Sequence, residues 1–128
     1  MEDFVPFEIA KKLKEKGFSC EYPFAMYDED GEFYPLYSSD KYYYGMEDFD
    51  SRDFIAPTIS QVLKWLREEK EIDIILQPIF LYNENNRERE YGIEIYAPQL
   101  NKPTHLDYFK NWGKGAVAGI DYVLDNLI

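Results

Sequence analysis

The sequence predicts an α+β domain: a mainly antiparallel sheet built from two hairpins, with three helices packed on one face in the order helix–hairpin–helix–hairpin–helix. Three observations carry this. Two segments of helical periodicity, at residues 6–16 and 58–70, each precede a pair of strand-like segments joined by a turn. A third helical pattern closes the chain over residues 114–126. Apolar residues make up 45% of the 128, enough for one core, so residues 1–128 are expected to form a single domain.

The first helix is expected from Pro6 to Lys16. Proline suits the first helical position, where its missing N–H has no partner to lose. Phe7, Ile9, Ala10 and Leu13 form the apolar stripe, Lys11, Lys12, Lys14 and Lys16 point outward, and Gly17 ends the helix as a left-handed cap. The run PFAMYDEDGEFYPLY follows and reads as a hairpin with Asp30-Gly31 as a two-residue turn. Its Asp-x-Asp start invites a calcium-loop reading. The glycine comes at the fourth loop position instead of the sixth and the twelfth lacks glutamate, so the turn reading wins.

Residues 38–56 show no sustained period and read as an ordered acidic, aromatic loop, with a short strand through Tyr42–Tyr44 as its one candidate element. The second helix is the clearest. Pro57 keeps its predecessor extended, Thr58 is a good N-cap, and Gln61 completes a capping box. On a wheel, Ile59, Val62, Leu63 and Leu66 fall within about 60° of one another. Lys64 and Glu68 lie opposite, and Trp65 sits on the flank, as cover for the core edge or as an exposed contact.

IDIILQPIFLY is apolar at nearly every position, which predicts a strand covered on both faces near its middle. Pro78 argues for a bulge or a sheet edge. NENNRER is a solvated connection. EYGIEIYA then alternates, with Tyr91, Ile93, Ile95 and Ala97 on one face and Glu90, Glu94 and Tyr96 on the other. The loop APQLNKPTH leads to a last helix from about Lys114 to Asn126, whose stripe is Val117, Ile120, Val123, Leu124 and Leu127. Gly115 and Gly119 allow it a close approach to another element. IAKKLKE at 9–15 matches VLKWLRE at 62–68, and MEDF occurs at 1–4 and 46–49. A weak duplication of a helix–hairpin unit, about 1–37 and 46–97, is the reading these matches allow.

The chemistry is sparse. The lone Cys20 excludes an internal disulfide and a multi-cysteine zinc site, and suits a free thiol in a reducing compartment. The start MEDFVPF is acidic and no long apolar run follows, so a cytoplasmic protein without a membrane segment is expected. His105 is the one histidine and has no partner in the sequence. Glycine-rich phosphate loops and paired metal-binding histidines are absent from the text, so neither an enzyme nor a cofactor is expected.

The net charge is −11, and residues 28–53 supply most of it, with 9 acids against 2 bases. Phosphate backbones require clustered Lys and Arg, and the one such cluster is the wet face of the first helix. Direct nucleic-acid binding is therefore not expected. The stretch DKYYYGMEDFDSRDF resists a bland reading, because three consecutive tyrosines cannot share one face of a strand. Its tyrosines plug a core edge, or they form an interface. In the second case Tyr42, Tyr43, Tyr44, Met46, Asp48, Phe49 and Asp50, together with Trp65, are the candidate partner-binding residues. Aromatic residues are enriched in binding patches, and a rim of acids selects a basic protein partner. A second copy of the chain is an alternative occupant.

The run from Tyr22 to Ile74, with its hairpin, its tyrosines and then APT followed by a WLREE helix, resembles a family of small proteins encoded in phages, prophages and mobile elements of gut bacteria. The likeness covers most of residues 7–97. It implies a mobile-element accessory protein in a bacterial cytoplasm. The family carries no established activity, so no functional residue transfers. The expected function is protein–protein interaction through residues 40–53. The rivals are an acidic DNA mimic that occupies a host DNA-binding protein, and a small enzyme or ligand-binding domain without a recognisable motif.

Overall fold

The computed structural model describes residues 3–20, 23–36, 52–82 and 87–128. Two compact units divide the chain, Met1–Thr58 and Ile59–Ile128.

In the first unit, helix α1 (Phe7–Glu15) begins one residue later than the proline suggests. Pro6 has φ −65° but an extended ψ of 160°, so it is the residue before the helix. Gly17 ends the helix as expected, with φ 81°. Phe18 then donates its N–H to the Leu13 carbonyl. Ile9, Ala10 and Leu13 are buried. Two of the lysines do not simply point into water. The Lys11 ammonium lies 4.9 Å from the Phe7 ring centre and that of Lys14 lies 4.6 Å from the Phe54 ring centre. Long stems that lie along rings keep their charge wet while covering apolar surface.

Strands β1 (Ala25–Tyr27) and β2 (Phe33–Pro35) form the first hairpin, and Tyr27–Phe33 is its last pair. The connection is longer than a two-residue turn. Gly31 N–H donates to the Asp28 carbonyl, Asp28 N–H donates to the Glu32 carbonyl, and Gly31 has φ 89°. This is a three-residue loop, a type I turn closed by a left-handed residue that glycine fills without strain. Asp28 Oδ1 also accepts the N–H groups of Asp30 and Glu32. Strand β3 (Phe54–Ile55) pairs on the free side of β1, giving the order β2-β1-β3. These two residues fall where a loop is expected; two residues are too few to show a period. The candidate strand Tyr42–Tyr44 lies outside the described residues.

The register sets Phe33, Tyr27 and Phe54 in one row across this sheet. Phe7 of α1 rests on Tyr27 and Phe54 with both ring centres 5.4 Å away, and Phe4 packs edge-on against Phe33 at 5.1 Å. Such tilted contacts suit the ring quadrupoles. The buried Tyr27 hydroxyl donates to the Val5 carbonyl at 2.6 Å.

The second unit begins with α2 (Ile59–Lys70). Ile59, Val62 and Leu66 are buried while Lys64 and Glu68 are exposed, as the wheel requires. The helix ends in Glu71, whose φ is 57°, and Ile72 N–H reaches back to the Leu66 carbonyl. Strands β4 (Asp73–Tyr82) and β5 (Arg87–Tyr96) pair along their whole length, so β5 starts three residues before the alternating text. Strand β6 (Thr104–Phe109) pairs with the other side of β5, giving the order β4-β5-β6. It occupies a stretch expected to lead through a loop into the last helix.

Helix α3 (Trp112–Asn126) is capped by the Asn111 side chain, which accepts the Lys114 N–H. It touches all three strands, and α2 touches α3 and β4. A Cβ on Gly119 would stand 2.9 Å from Ile74 Cγ2 and 3.3 Å from Ile93 Cγ2, so the small residues bring the helix down onto the sheet. The pairs Ile74–Ile95 and Leu76–Ile93 lie on this helix-covered face, and Ile93, Ile95, Ile120, Val123 and Leu124 are buried.

The opposite face of β4 corrects the expectation of a strand covered on both sides. Ile75 is 47% exposed, and no described element of this unit stacks on that face. Pro78 sits on an edge strand, as expected, and the register runs through it unbroken. The irregularity lies instead between β5 and β6, at Tyr91 and Ile93.

The fold class is α+β, with three helices and two antiparallel three-stranded sheets among the described residues. The two hairpins sit in separate sheets, each with a third strand. Both units open with a helix followed by a hairpin, but the third strand joins the first hairpin strand in one unit and the second in the other. No described helix is long and apolar enough to cross a membrane.

Candidate interaction surface

Of the residues singled out for partner binding, Tyr42, Tyr43, Tyr44, Met46, Asp48, Phe49 and Asp50 lie outside the described residues. Trp65 is described. It is half-buried on the flank of α2, with the Lys70 ammonium 5.4 Å from its ring centre. At the borders of the acidic segment, the Tyr34 hydroxyl donates to the Asp53 carboxylate, and Arg52 stands 3.7 Å from Glu29.

A second surface comes from strand alternation in the second unit. Successive side chains of a strand point to opposite faces. The face of β4-β5-β6 turned away from α3 therefore carries Asp73, Ile75, Gln77 and Ile79 from β4, and Glu88, Glu90, Gly92, Glu94 and Tyr96 from β5. From β6 it carries His105 and Tyr108. Tyr108 is 63% exposed and Tyr96 is 40% exposed. Acidic side chains recur along it, and its described strand positions hold neither Lys nor Arg.

The centre of this face is Glu94. The register puts Ile75 beside it on β4 and His105 beside it on β6. Tyr96, two residues along the same strand, donates its hydroxyl to Glu94 Oε2 at 2.7 Å. That hydrogen bond, then partial desolvation, then the carboxylate's charge hold the Tyr96 phenol above its ordinary value. Tyr96 therefore stays a donor at neutral pH. His105 Nδ1 stands 3.5 Å from Glu94 Oε1, too long for a good hydrogen bond. Gly92 precedes Glu94 on this face. A Cβ there would meet the Tyr108 ring at 3.3 Å and Ile79 Cδ1 at 3.4 Å, so the tyrosine ring lies down over the glycine.

The pairing of Glu94 with Tyr96 is implicit in the alternation of EYGIEIYA. The company of His105 and Tyr108 is not, because it depends on β6. Among the described residues no group of three or more His, Cys, Asp or Glu is placed to hold a metal ion. Comparison of the chain with protein-family models, with curated proteins and with solved structures finds no match.

Proposed function

We propose that this protein works by binding another protein, as a small acidic accessory factor of a phage or mobile element. One observation carries the reading: a sheet face that no described element of its own unit covers, on which Ile75, Tyr96 and Tyr108 are exposed among carboxylates. Contiguous exposed apolar side chains with a polar surround mark interaction sites more often than idle surface. Tyrosine is favoured there because its ring buries well and its hydroxyl stays satisfied. The three tyrosines among the acids of residues 40–53 add a second stretch of the same composition. Both compositions suit a basic partner, which the field of a chain with net charge −11 also steers inward.

The test is a tagged capture from bacterial lysate at low and high salt. The bait is the wild type, a Tyr42/Tyr43/Tyr44→Ser variant, or an Ile75→Ser/Tyr108→Ala variant. A basic protein retained by the wild type, lost from one variant and released by salt is the expected result. Equal capture by all three baits, or no capture, overturns the reading.

The rival of DNA mimicry draws on one feature of the same face. Glu88, Glu90 and Glu94 recur along one side of β5, where alternate residues are roughly 6.6 to 6.8 Å apart. If the captured protein binds DNA and duplex DNA displaces it from the bait, mimicry becomes the better account.

A further inference from the structure

We infer that the outer face of β4-β5-β6 docks an arginine side chain of the partner, with Glu94 and the Tyr108 ring as its two contacts. The inference rests on the reading that this face binds a protein, and it names the chemistry that the face would recognise.

Glu94 is a prepared carboxylate. A carboxylate offers about four acceptor positions, and the Tyr96 hydroxyl takes one of them on Oε2. The same bond orients the group. Oε1 is left with His105 Nδ1 at 3.5 Å, and the Glu94 side chain keeps 27% of its surface exposed. The backbone positions of Gly92 and Glu94 are roughly 6.6 to 6.8 Å apart along the strand, and the Tyr108 ring lies over the Gly92 position. A planar guanidinium can rest on that ring, within about 6 Å of its centre, and still turn an edge toward Glu94.

Arginine fits better than a compact ammonium because it stacks flat and offers several N–H groups in one plane. Ile75 beside Glu94 and Ile79 beside Gly92 supply apolar surface for the methylene stem. Charge complementarity selects the occupant: Asp73, Glu88, Glu90 and Glu94 share the face, and its described strand positions carry no Lys or Arg to compete for Glu94. The same acids disfavour a second copy of this face.

The experiment is a two-dimensional amide NMR titration of the full chain with N-acetyl-arginine methylamide, compared with the neutral citrulline analogue. Saturating shifts confined to the amides of Gly92, Glu94, Tyr96, His105 and Tyr108 are expected for arginine alone. A dissociation constant on the order of millimolar is expected for a lone side chain. Glu94→Gln keeps the shape and the Tyr96 bond but should weaken binding about tenfold, and Tyr108→Ala should weaken it about threefold. The dispersion of each variant's own spectrum reports that it is folded. Shifts scattered over all acidic surfaces, equal shifts with citrulline, indifference to Glu94→Gln, or no saturating shift each overturn the inference. A captured protein that Glu94→Gln still retains leaves the interaction reading standing and removes the arginine site. Confined arginine shifts without any captured protein do the reverse.

Discussion

Residues Met1–Thr58 build their sheet from strands of three, three and two residues. In Ile59–Ile128, β4 and β5 pair over ten residues, and a 15-residue helix spans the sheet. The short ladder of the first unit cannot order the chain by itself. Its hairpin and its single helix are tied by rings instead: Phe33, Tyr27 and Phe54 in a row, with Phe4 and Phe7 against them. The second unit uses branched aliphatic side chains and two helical glycines, so its helix–sheet contact is close and dry. Rings tolerate partial exposure, because each brings a large area to few contacts. Aliphatic packing loses more when a methyl group is removed, since neighbours already in contact cannot close the gap.

The largest effect expected from this difference is at Leu66. Its side chain is fully buried, so Leu66→Ala should lower stability by about 2–5 kcal/mol through lost burial and a residual cavity. Phe7 is larger but only half-buried, and Phe7→Ala should cost about 2 kcal/mol, below the ~3–5 kcal/mol of a fully buried phenylalanine. Urea unfolding of both variants measures the pair. If Phe7→Ala proves the more damaging, the ring cluster is the tighter core and the comparison is reversed.

Legibility in the sequence follows the same divide. Helix α2 and the alternation of β5 are plain in the text because their periods run for several turns or pairs against one buried face. Strand β3 is two residues and exists only because β1 offers an edge, so no local pattern marks it. Strand β6 is hidden differently. Leu106 and Phe109 are both paired with β5, but the irregularity beside them breaks the period, and the strand grows out of a Pro- and Asn-rich stretch. β4 misleads in the opposite sense: its outward Ile75 and Ile79 read as core. With β6 hidden, the half of the candidate surface that comes from His105 and Tyr108 is hidden too. The tyrosines of residues 42–44 are conspicuous for composition alone, and a composition signal does not say which way a side chain points.

A smaller effect tests how the rings of the first unit are anchored. Tyr27 donates to the carbonyl of the fully buried Val5, so Tyr27→Phe leaves that oxygen unsatisfied and should cost about 1–3 kcal/mol at neutral pH. Burial raises the Tyr27 phenol above its ordinary value near 10. The unfolded chain therefore ionises first as pH rises, and the stability that the phenol contributes is complete below pH ~10 and lost above it. The gap between wild type and Tyr27→Phe in urea midpoint should narrow from pH ~7 to pH ~10.5. A gap near zero already at pH ~7 would show that the ring alone, and not the hydroxyl bond to Val5, anchors this side chain.

The smallest expected effect concerns the ends of the two opening helices, which are built on similar lines. Each opening helix ends in a left-handed residue followed by a buried apolar side chain: Gly17 then Phe18, and Glu71 then Ile72. Phe18 N–H returns to the Leu13 carbonyl and Ile72 N–H to the Leu66 carbonyl. Leu13 and Leu66 are the residues that the two similar helical texts align. Glycine meets the required φ without strain, whereas a residue with a Cβ gives up about 1–2 kcal/mol there. Part of that is offset by the greater unfolded-state entropy of glycine, so Glu71→Gly should stabilise the second unit by roughly 0.5–1 kcal/mol. A Cβ on Gly17 would meet nothing within 4 Å, so Gly17→Ala isolates the backbone contribution. That variant should cost about 1 kcal/mol. Opposite signs in thermal unfolding of the two variants would show that both endings require a left-handed residue and differ in how well theirs suits it. If Glu71→Gly is neutral or destabilising, the Glu71 side chain contributes more than its backbone strain costs, and the endings resemble each other in shape alone.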